Sequence, residues 1–322
     1  MERSYRKWIL AILILVFSSF GPLFLSISQV RIVTMVFFSI GLSASYNLIG
    51  GFVGYPSFGH VVFVGTGAYT AALLVNTLHF PFLLAVVLAG VASLLFSLIL
   101  GAPILRLRGH YFAVVTFAVQ MAMAEFVSSI DFLGGSRGLV FITVYGFTYY
   151  YYMFLLASAL TVLCTYFVRR ARLGFGLLAI NRNEIRAETL GVPTTYYKMA
   201  AFALSAFWPG ILGAIYGNYL GFIDPHIAFD PRLSISMVLY CLAGGIGTVI
   251  GPVIGAIVIS FFNEIVWANF PHIHLTIYGS ILMIFILFFP KGFLGYRKGD
   301  LPRWLVSVGN VRLRSKNEPS QN

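Results

Sequence analysis

Ser57 and His60 stand three residues apart in Gly54-Tyr55-Pro56-Ser57-Phe58-Gly59-His60, a hydroxyl and an imidazole that would suit the nucleophile and general base of an intramembrane hydrolase. The run lacks the Gly-x-Ser-x-Gly spacing of a nucleophile elbow, so helix packing is the expected role of both. Glu125 and Glu264 lie inside long apolar runs. A carboxylate at mid-bilayer costs about 2.5–3.5 kcal/mol on insertion scales, so each is expected to face the bundle interior, meet a donor, sit near an interface or carry a proton. A proton-binding carboxylate would be the mark of a proton-coupled secondary carrier. Gln120, five residues before Glu125, is off its helical stripe. Pro271-His272-Ile273-His274 offers two imidazoles without convergent further ligands, so no metal is expected. The chain has no Gly-Lys dipeptide and hence no phosphate-binding P-loop. Neither a catalytic residue nor a cofactor is expected in it, and ATP, if used, is bound by another subunit.

Between the apolar runs charge gathers in Arg169–Lys198, RRARLGFGLLAINRNEIRAETLGVPTTYYK, where Arg169, Arg170, Arg172, Arg182, Arg186 and Lys198 stand with Glu184 and Glu188. Leu177, Ile180, Ile185 and Leu190 form an apolar series that would suit a groove. Gly191, followed two residues later by Pro193, is expected to end a short helix there. A charged segment of this length inside an apolar chain reads as a docking loop for a soluble partner.

The elements that position these residues follow from composition. Of 322 residues 59% are hydrophobic and 10% charged, too apolar for a surface facing water. The fold class is all-α, a polytopic membrane helical bundle. Apolar runs near the length that crosses the hydrocarbon are Trp8–Leu25, Ile32–Ile49, Val61–Leu78, Phe82–Leu105, Tyr111–Ile130, Tyr149–Val168, Met199–Leu220, Leu233–Ile250, Pro252–Trp267 and Leu275–Phe289. They predict about ten transmembrane helices, eight or nine if the short last runs are tilted or re-entrant. With both termini in the cytoplasm, every Lys and Arg except Arg31, Arg137 and Arg232 falls on the cytoplasmic side. Residues 1–298 then form the membrane domain, with 169–198 as its cytoplasmic loop, and 299–322 a basic cytoplasmic tail. The net charge of +11 flanks spans and has no interleaved aromatic motif, so nucleic acid is not expected as a partner. Cys164 and Cys241 both fall within spans and suggest no disulfide framework. The first span resembles a signal peptide in its basic start and apolar run, and is expected to be retained.

Two glycine-rich stretches break the apolar pattern. One runs from Gly50 and Gly51 through Gly54 and Gly59 to Gly65 and Gly67, after Asn47; the other is Gly244-Gly245-Ile246-Gly247 with Gly251-Pro252 and Gly255. Irregular backbone at membrane depth survives only where protein or a water-filled cavity covers it, so both stretches are expected to point inward. Close helix packing and lining of a pathway are both open for Asn47, Ser57, Gly59, His60, Gly65, Gln120, Glu125, Gly244, Gly245 and Gly247.

Over Tyr46–Gly295 the chain resembles membrane permeases of the LivM type, from bacterial ABC importers of branched-chain amino acids. The resemblance is carried by Asn47-Leu48-Ile49-Gly50, Ser57-Phe58-Gly59-His60, Gly65-Thr66-Gly67-Ala68-Tyr69, Leu105-Arg106-Leu107-Arg108-Gly109, Gly134-Gly135-Ser136-Arg137-Gly138, Ala187-Glu188-Thr189-Leu190-Gly191 and Gly244-Gly245-Ile246-Gly247. It implies a permease of the inner membrane that pairs with a second, LivH-like permease, two cytoplasmic ATPases and an extracytoplasmic substrate-binding protein. It also implies that the segment around Glu184, Arg186, Glu188 and Gly191 is the coupling helix that docks on an ATPase. Urea or short amides are the alternative cargo, since related permeases carry them. Tyr55-Pro56 stands where many relatives carry a Gln-Leu pair.

Overall fold

The computed structural model describes residues 18–269, 279–280 and 283. The expected first and tenth spans fall largely outside these residues, as do His272, His274 and the tail 299–322. After one helical turn at Gly21–Phe24, eleven helices follow in order: α1 (Ile27–Tyr46), α2 (Val61–Asn76), α3 (Phe82–Ile104), α4 (His110–Ser128), α5 (Phe147–Arg170), α6 (Arg172–Arg182), α7 (Glu184–Thr189), α8 (Thr194–Leu220), α9 (Pro225–Ala228), α10 (Pro231–Gly244) and α11 (Ile250–Asn269). Two two-residue strands, β1 (Leu139–Val140) and β2 (Phe222–Ile223), pair antiparallel. Six helical stretches among the described residues are long and apolar enough to cross a membrane, fewer than the ten expected; Val61–Asn76 and Ile250–Glu264 are apolar but shorter.

Ser26 starts α1 with a capping box, its hydroxyl accepting from Gln29 N–H while the Gln29 side chain accepts from Ser26 N–H. α1 does not end at Tyr46 but runs on as a π-helical turn, Asn47–Val53, stopped by Gly54 at φ 81°. That conformation costs a glycine little and an L side chain more. Residues 55–60 are irregular and mostly buried, and side chains of other helices meet backbone donors here. Phe58 N–H donates to Thr116 Oγ1 at 3.1 Å, and Val61 N–H, an orphan at the start of α2, donates to Ser234 Oγ at 3.0 Å.

The bundle is drawn together around α2, which is buried along nearly its whole length between α3 and α8. Small residues make this approach possible. A Cβ on Gly67 would lie 2.0 Å from the Gly210 carbonyl oxygen, and one on Gly213 would lie 2.1 Å from that of Val64. α3 turns the rest of its surface outward as Leu83, Leu84, Val87, Val91, Leu95 and Ile99, an aliphatic face suited to lipid.

The two ends of the bundle differ. At one, Asn76 clamps the strand region, its Nδ2 donating to Val140 O at 2.7 Å and its Oδ1 accepting from Ile142 N at 3.3 Å. Beside it Asn218 donates to Thr143 O at 2.7 Å and accepts from the Tyr150 hydroxyl at 2.7 Å. Arg31 stacks over Phe147 at this end, 5.4 Å from the ring centroid. At the other end lie α6, α7, the start of α8 and both glycine-rich breaks. The expected long loop of 169–198 is thus two helices and a helix start: α6 buries Leu177 and Ile180 against the bundle.

Candidate functional site

Two adjoining assemblies hold most of the candidate residues. In the first, the two glycine-rich breaks meet. Asn47, fully buried at the head of the π turn, donates through Nδ2 to Thr248 O at 2.6 Å and accepts through Oδ1 from Gly247 N–H at 3.0 Å. One amide thus satisfies both backbone groups of the α10–α11 break, where Gly245 and Gly247 take φ of 117° and 76°. Arg169, at the end of α5, donates to the Gly247 carbonyl and lies over the Phe52 ring, 5.4 Å from its centroid. Asn181 of α6 donates to Gly51 O at 2.9 Å. Thr248 Oγ1 accepts from Gly251 N–H at 2.9 Å and so caps α11. A Cβ on Gly244 would lie 1.7 Å from Gly251 O, which packs the two helices flanking this break against each other.

The second assembly ties α7 to the bundle. Glu184 Oε1 accepts from Lys198 Nζ at 2.7 Å, and Glu184 Oε2 accepts from the Tyr55 hydroxyl at 2.6 Å. Arg108 Nε lies 3.4 Å from Glu184 Oε2. Lys198 also donates to Leu105 O at 3.1 Å, and its ammonium lies 5.3 Å from the Tyr55 ring centroid. The Glu184 and Lys198 side chains are 11% and 6% exposed, so this pair is one of buried partners, each hydrogen-bonded more than once. Burial by itself would raise the Glu184 carboxyl, but the Lys198 and Tyr55 hydrogen bonds and the Lys198 and Arg108 charges outweigh it, and its pKa lies below the ordinary 4.5. Burial and the bond to Glu184 both raise the Tyr55 hydroxyl.

α7 is built to project. Asn183 caps its start, its Oδ1 accepting from Arg186 N–H at 3.0 Å. Gly191 ends it at φ 83°, with Gly191 N–H on Glu188 O at 2.9 Å and Val192 N–H on Ala187 O at 3.0 Å, a Schellman closure. The apolar series read in the sequence divides: Leu177 and Ile180 turn inward, whereas Ile185 is 62% and Leu190 82% exposed. Arg186 is exposed beside them, and Glu188 accepts from Thr194 Oγ1 at 2.7 Å.

The remaining candidates scatter. His60 is fully buried; its Nε2 donates to Ser205 O at 2.8 Å and its Nδ1 has no partner, so no hydrogen bond joins it to Ser57. A nucleophile–base pair does not form there. Gly59 and Gly65 sit in tight contacts, where a Cβ would lie 2.1 Å from Thr116 O and 2.3 Å from the Phe229 ring. Gln120 is buried and accepts from Ser234 Oγ at 3.0 Å, with its Nε2 unpartnered. Glu125 faces the opposite way, on the exposed side of α4 with Tyr111, Val114, Phe117 and Met121. Glu264 is partly buried on α11. Among the described residues no group of three or more His, Cys, Asp and Glu is placed to hold a metal. Tyr55, Arg108, Asn181, Thr116 and Ser234 were not among the candidates. Of these, Tyr55 carried the one signal available, an aromatic hydroxyl immediately after a glycine-rich break.

The fold and these assemblies define a class: a polytopic helical membrane protein with two broken, mutually braced helices and a projecting charged segment at one end. The chain belongs to the family described as branched-chain amino acid transport system / permease component, whose model matches residues 26–289. It is similar to the high-affinity branched-chain amino acid transport system permease protein LivM of Salmonella typhimurium, 26% identical over 320 residues, which cover 89% of this chain and 75% of that protein. LivM of Escherichia coli K12 is 24% identical over 330 residues, 92% of this chain and 77% of the relative. The high-affinity branched-chain amino acid transport system permease protein LivH of the same organism is 27% identical over 143 residues, 44% of each chain. No solved structure matches. The chain is accordingly a multi-pass permease subunit of the ABC importer class, a transport component and not itself an enzyme.

Proposed function

We propose that this chain forms half of the translocation pathway of an ATP-driven importer of branched-chain amino acids in the inner membrane. Its partners are a LivH-like second permease, two cytoplasmic ATPases that bind the ATP, and an extracytoplasmic substrate-binding protein. The observation that carries the reading is α7: a short helix held from behind by Glu184 and Lys198 and presenting Ile185, Leu190 and Arg186 outward. Two exposed aliphatics beside a guanidinium suit a groove on a soluble protein, not lipid. The end that bears α6 and α7 is then cytoplasmic, in keeping with its excess of Arg and Lys. The exposed face of α4 is the side that meets the second permease, since it mixes Glu125 with Ala118 and Ala122 where α3 shows aliphatics alone.

The test is uptake of labelled leucine, isoleucine and valine into vesicles holding the purified complex, with ATP supplied at the ATPase face. ATP-dependent uptake that also requires the loaded binding protein is expected. Uptake driven by a proton gradient with no ATPase present would replace this reading with a secondary carrier.

A further inference from the structure

The bonds around Tyr55 run in two directions. Its hydroxyl donates to Glu184 at the start of α7, at 2.6 Å, while its backbone N–H donates to Ile49 O inside the π turn of α1, at 3.2 Å. The ring is buried and held edge-on by Phe112, centroids 5.1 Å apart. Tyr55 therefore joins the segment that projects from the bundle to the interrupted part of α1 with no intervening residue. One turn back, that same interruption presents Asn47 to Gly247 and Thr248.

We propose that Tyr55 is a positioning residue that passes displacement of α7 into the Asn47–Val53 turn, and through Asn47 into the α10–α11 break. The proposal rests on α7 being the ATPase-facing segment. Lys198 and Arg108 hold Glu184 in place from α8 and from the loop between α3 and α4, so the carboxylate cannot swing away from Tyr55 without breaking an ion pair. The Tyr55 hydroxyl is the direct side-chain bond between Glu184 and the residues that follow the turn. Asn181 on Gly51 O supplies a parallel contact, but from α6, whose Leu177 and Ile180 are anchored in the bundle. Ala187 of α7 is buried in the same apolar cluster as Leu48, Ile49, Phe52 and Val53, but Tyr55 supplies the directed side-chain bond between α7 and the residues that follow the turn.

Tyr55→Phe removes one oxygen and keeps the ring. In the complex purified from its own membrane, the variant is expected to retain its partner subunits and its ATP hydrolysis, while uptake per ATP hydrolysed falls by about tenfold, the scale of one hydrogen bond to a charged group. Hydrogen exchange supplies the reading that a merely structural role would not move. In the unsubstituted protein, ATP should alter exchange in both 184–190 and 47–55; in Tyr55→Phe the change at 184–190 should persist and that at 47–55 disappear. Should Tyr55→Phe fail to assemble, Glu184→Gln, which keeps an acceptor for the hydroxyl and removes the charge, is expected to retain the response at 47–55 despite a weaker bond to Lys198. A response at 47–55 that survives in Tyr55→Phe, or is lost in Glu184→Gln, overturns the joint and leaves the function standing. No response at 184–190 in the unsubstituted protein overturns both.

Discussion

Asn47 shows how a single side chain decides local structure. Its amide meets a donor and an acceptor that lie 200 and 201 residues away in sequence. Asn47→Ala is expected to leave Gly247 N–H and Thr248 O without this partner at a partly buried place, at up to about 1–3 kcal/mol for each. A lowered melting temperature in detergent would check this, and an unchanged one would remove Asn47 from the account. Glu184 gives a pH dependence of definite sign. Its folded-state pKa lies below the ordinary 4.5, so its contribution to stability is complete above that value and is lost as pH falls through the folded pKa. Melting measured from pH 7 downward should therefore decline beneath pH 4.5, and Glu184→Gln should be flatter over that interval. At this scale the sequence marked Asn47 as a polar group in an apolar run, Glu184 as part of a charged segment and the glycines by their clustering. It did not reveal their partners, because which residues meet across the bundle is decided by how helices pack and not by local pattern.

Among the elements, α2 and α8 meet backbone to backbone at glycines, and α7 projects from the bundle. Gly67→Val should force its Cβ into the Gly210 carbonyl, with a cost of at least the 1–3 kcal/mol usual for overpacking. Loss of folded protein in membranes would register it. Gly146→Ala is the matched control, since nothing lies within 4 Å of its Cβ. For α7 the expected effect is on association: the double substitution Ile185→Ser with Leu190→Ser should weaken binding of the ATPase while the bundle keeps its melting temperature. Each aliphatic buried at such a contact contributes about 1.5–3 kcal/mol, so co-purification of the ATPase should fall sharply, and unaltered co-purification would move the docking surface elsewhere. The apolar runs foretold the inner helices closely. Ile32 was nevertheless too late a start for α1, because Arg31 reads as a boundary whereas it stays on the helix and rests on Phe147. Residues 169–198 read as a loop because charge dominates them. The inward Leu177 and Ile180 make part of that stretch a helix packed against the bundle.

For the whole molecule, sidedness is the property that ties the elements to transport. With Cys164 and Cys241 first replaced by Ala, a cysteine at Arg182 should react with an impermeant reagent only from the cytoplasm and one at Ser136 only from outside; labelling of position 182 from the outer face would invert the arrangement. The two ends are braced in different ways. The strand end is held by the amides of Asn76 and Asn218, which lie on α2 and α8, the pair already locked by glycine contacts. The opposite end holds every interruption of the helices described above. The subunit thus resembles tweezers whose helices run unbroken at one extremity and are interrupted at the other. If the end bearing α6 and α7 is the cytoplasmic one, as proposed, any rearrangement should open and close that mouth far more than the opposite one, and a substrate that has passed the outer rim would meet walls that yield only ahead of it.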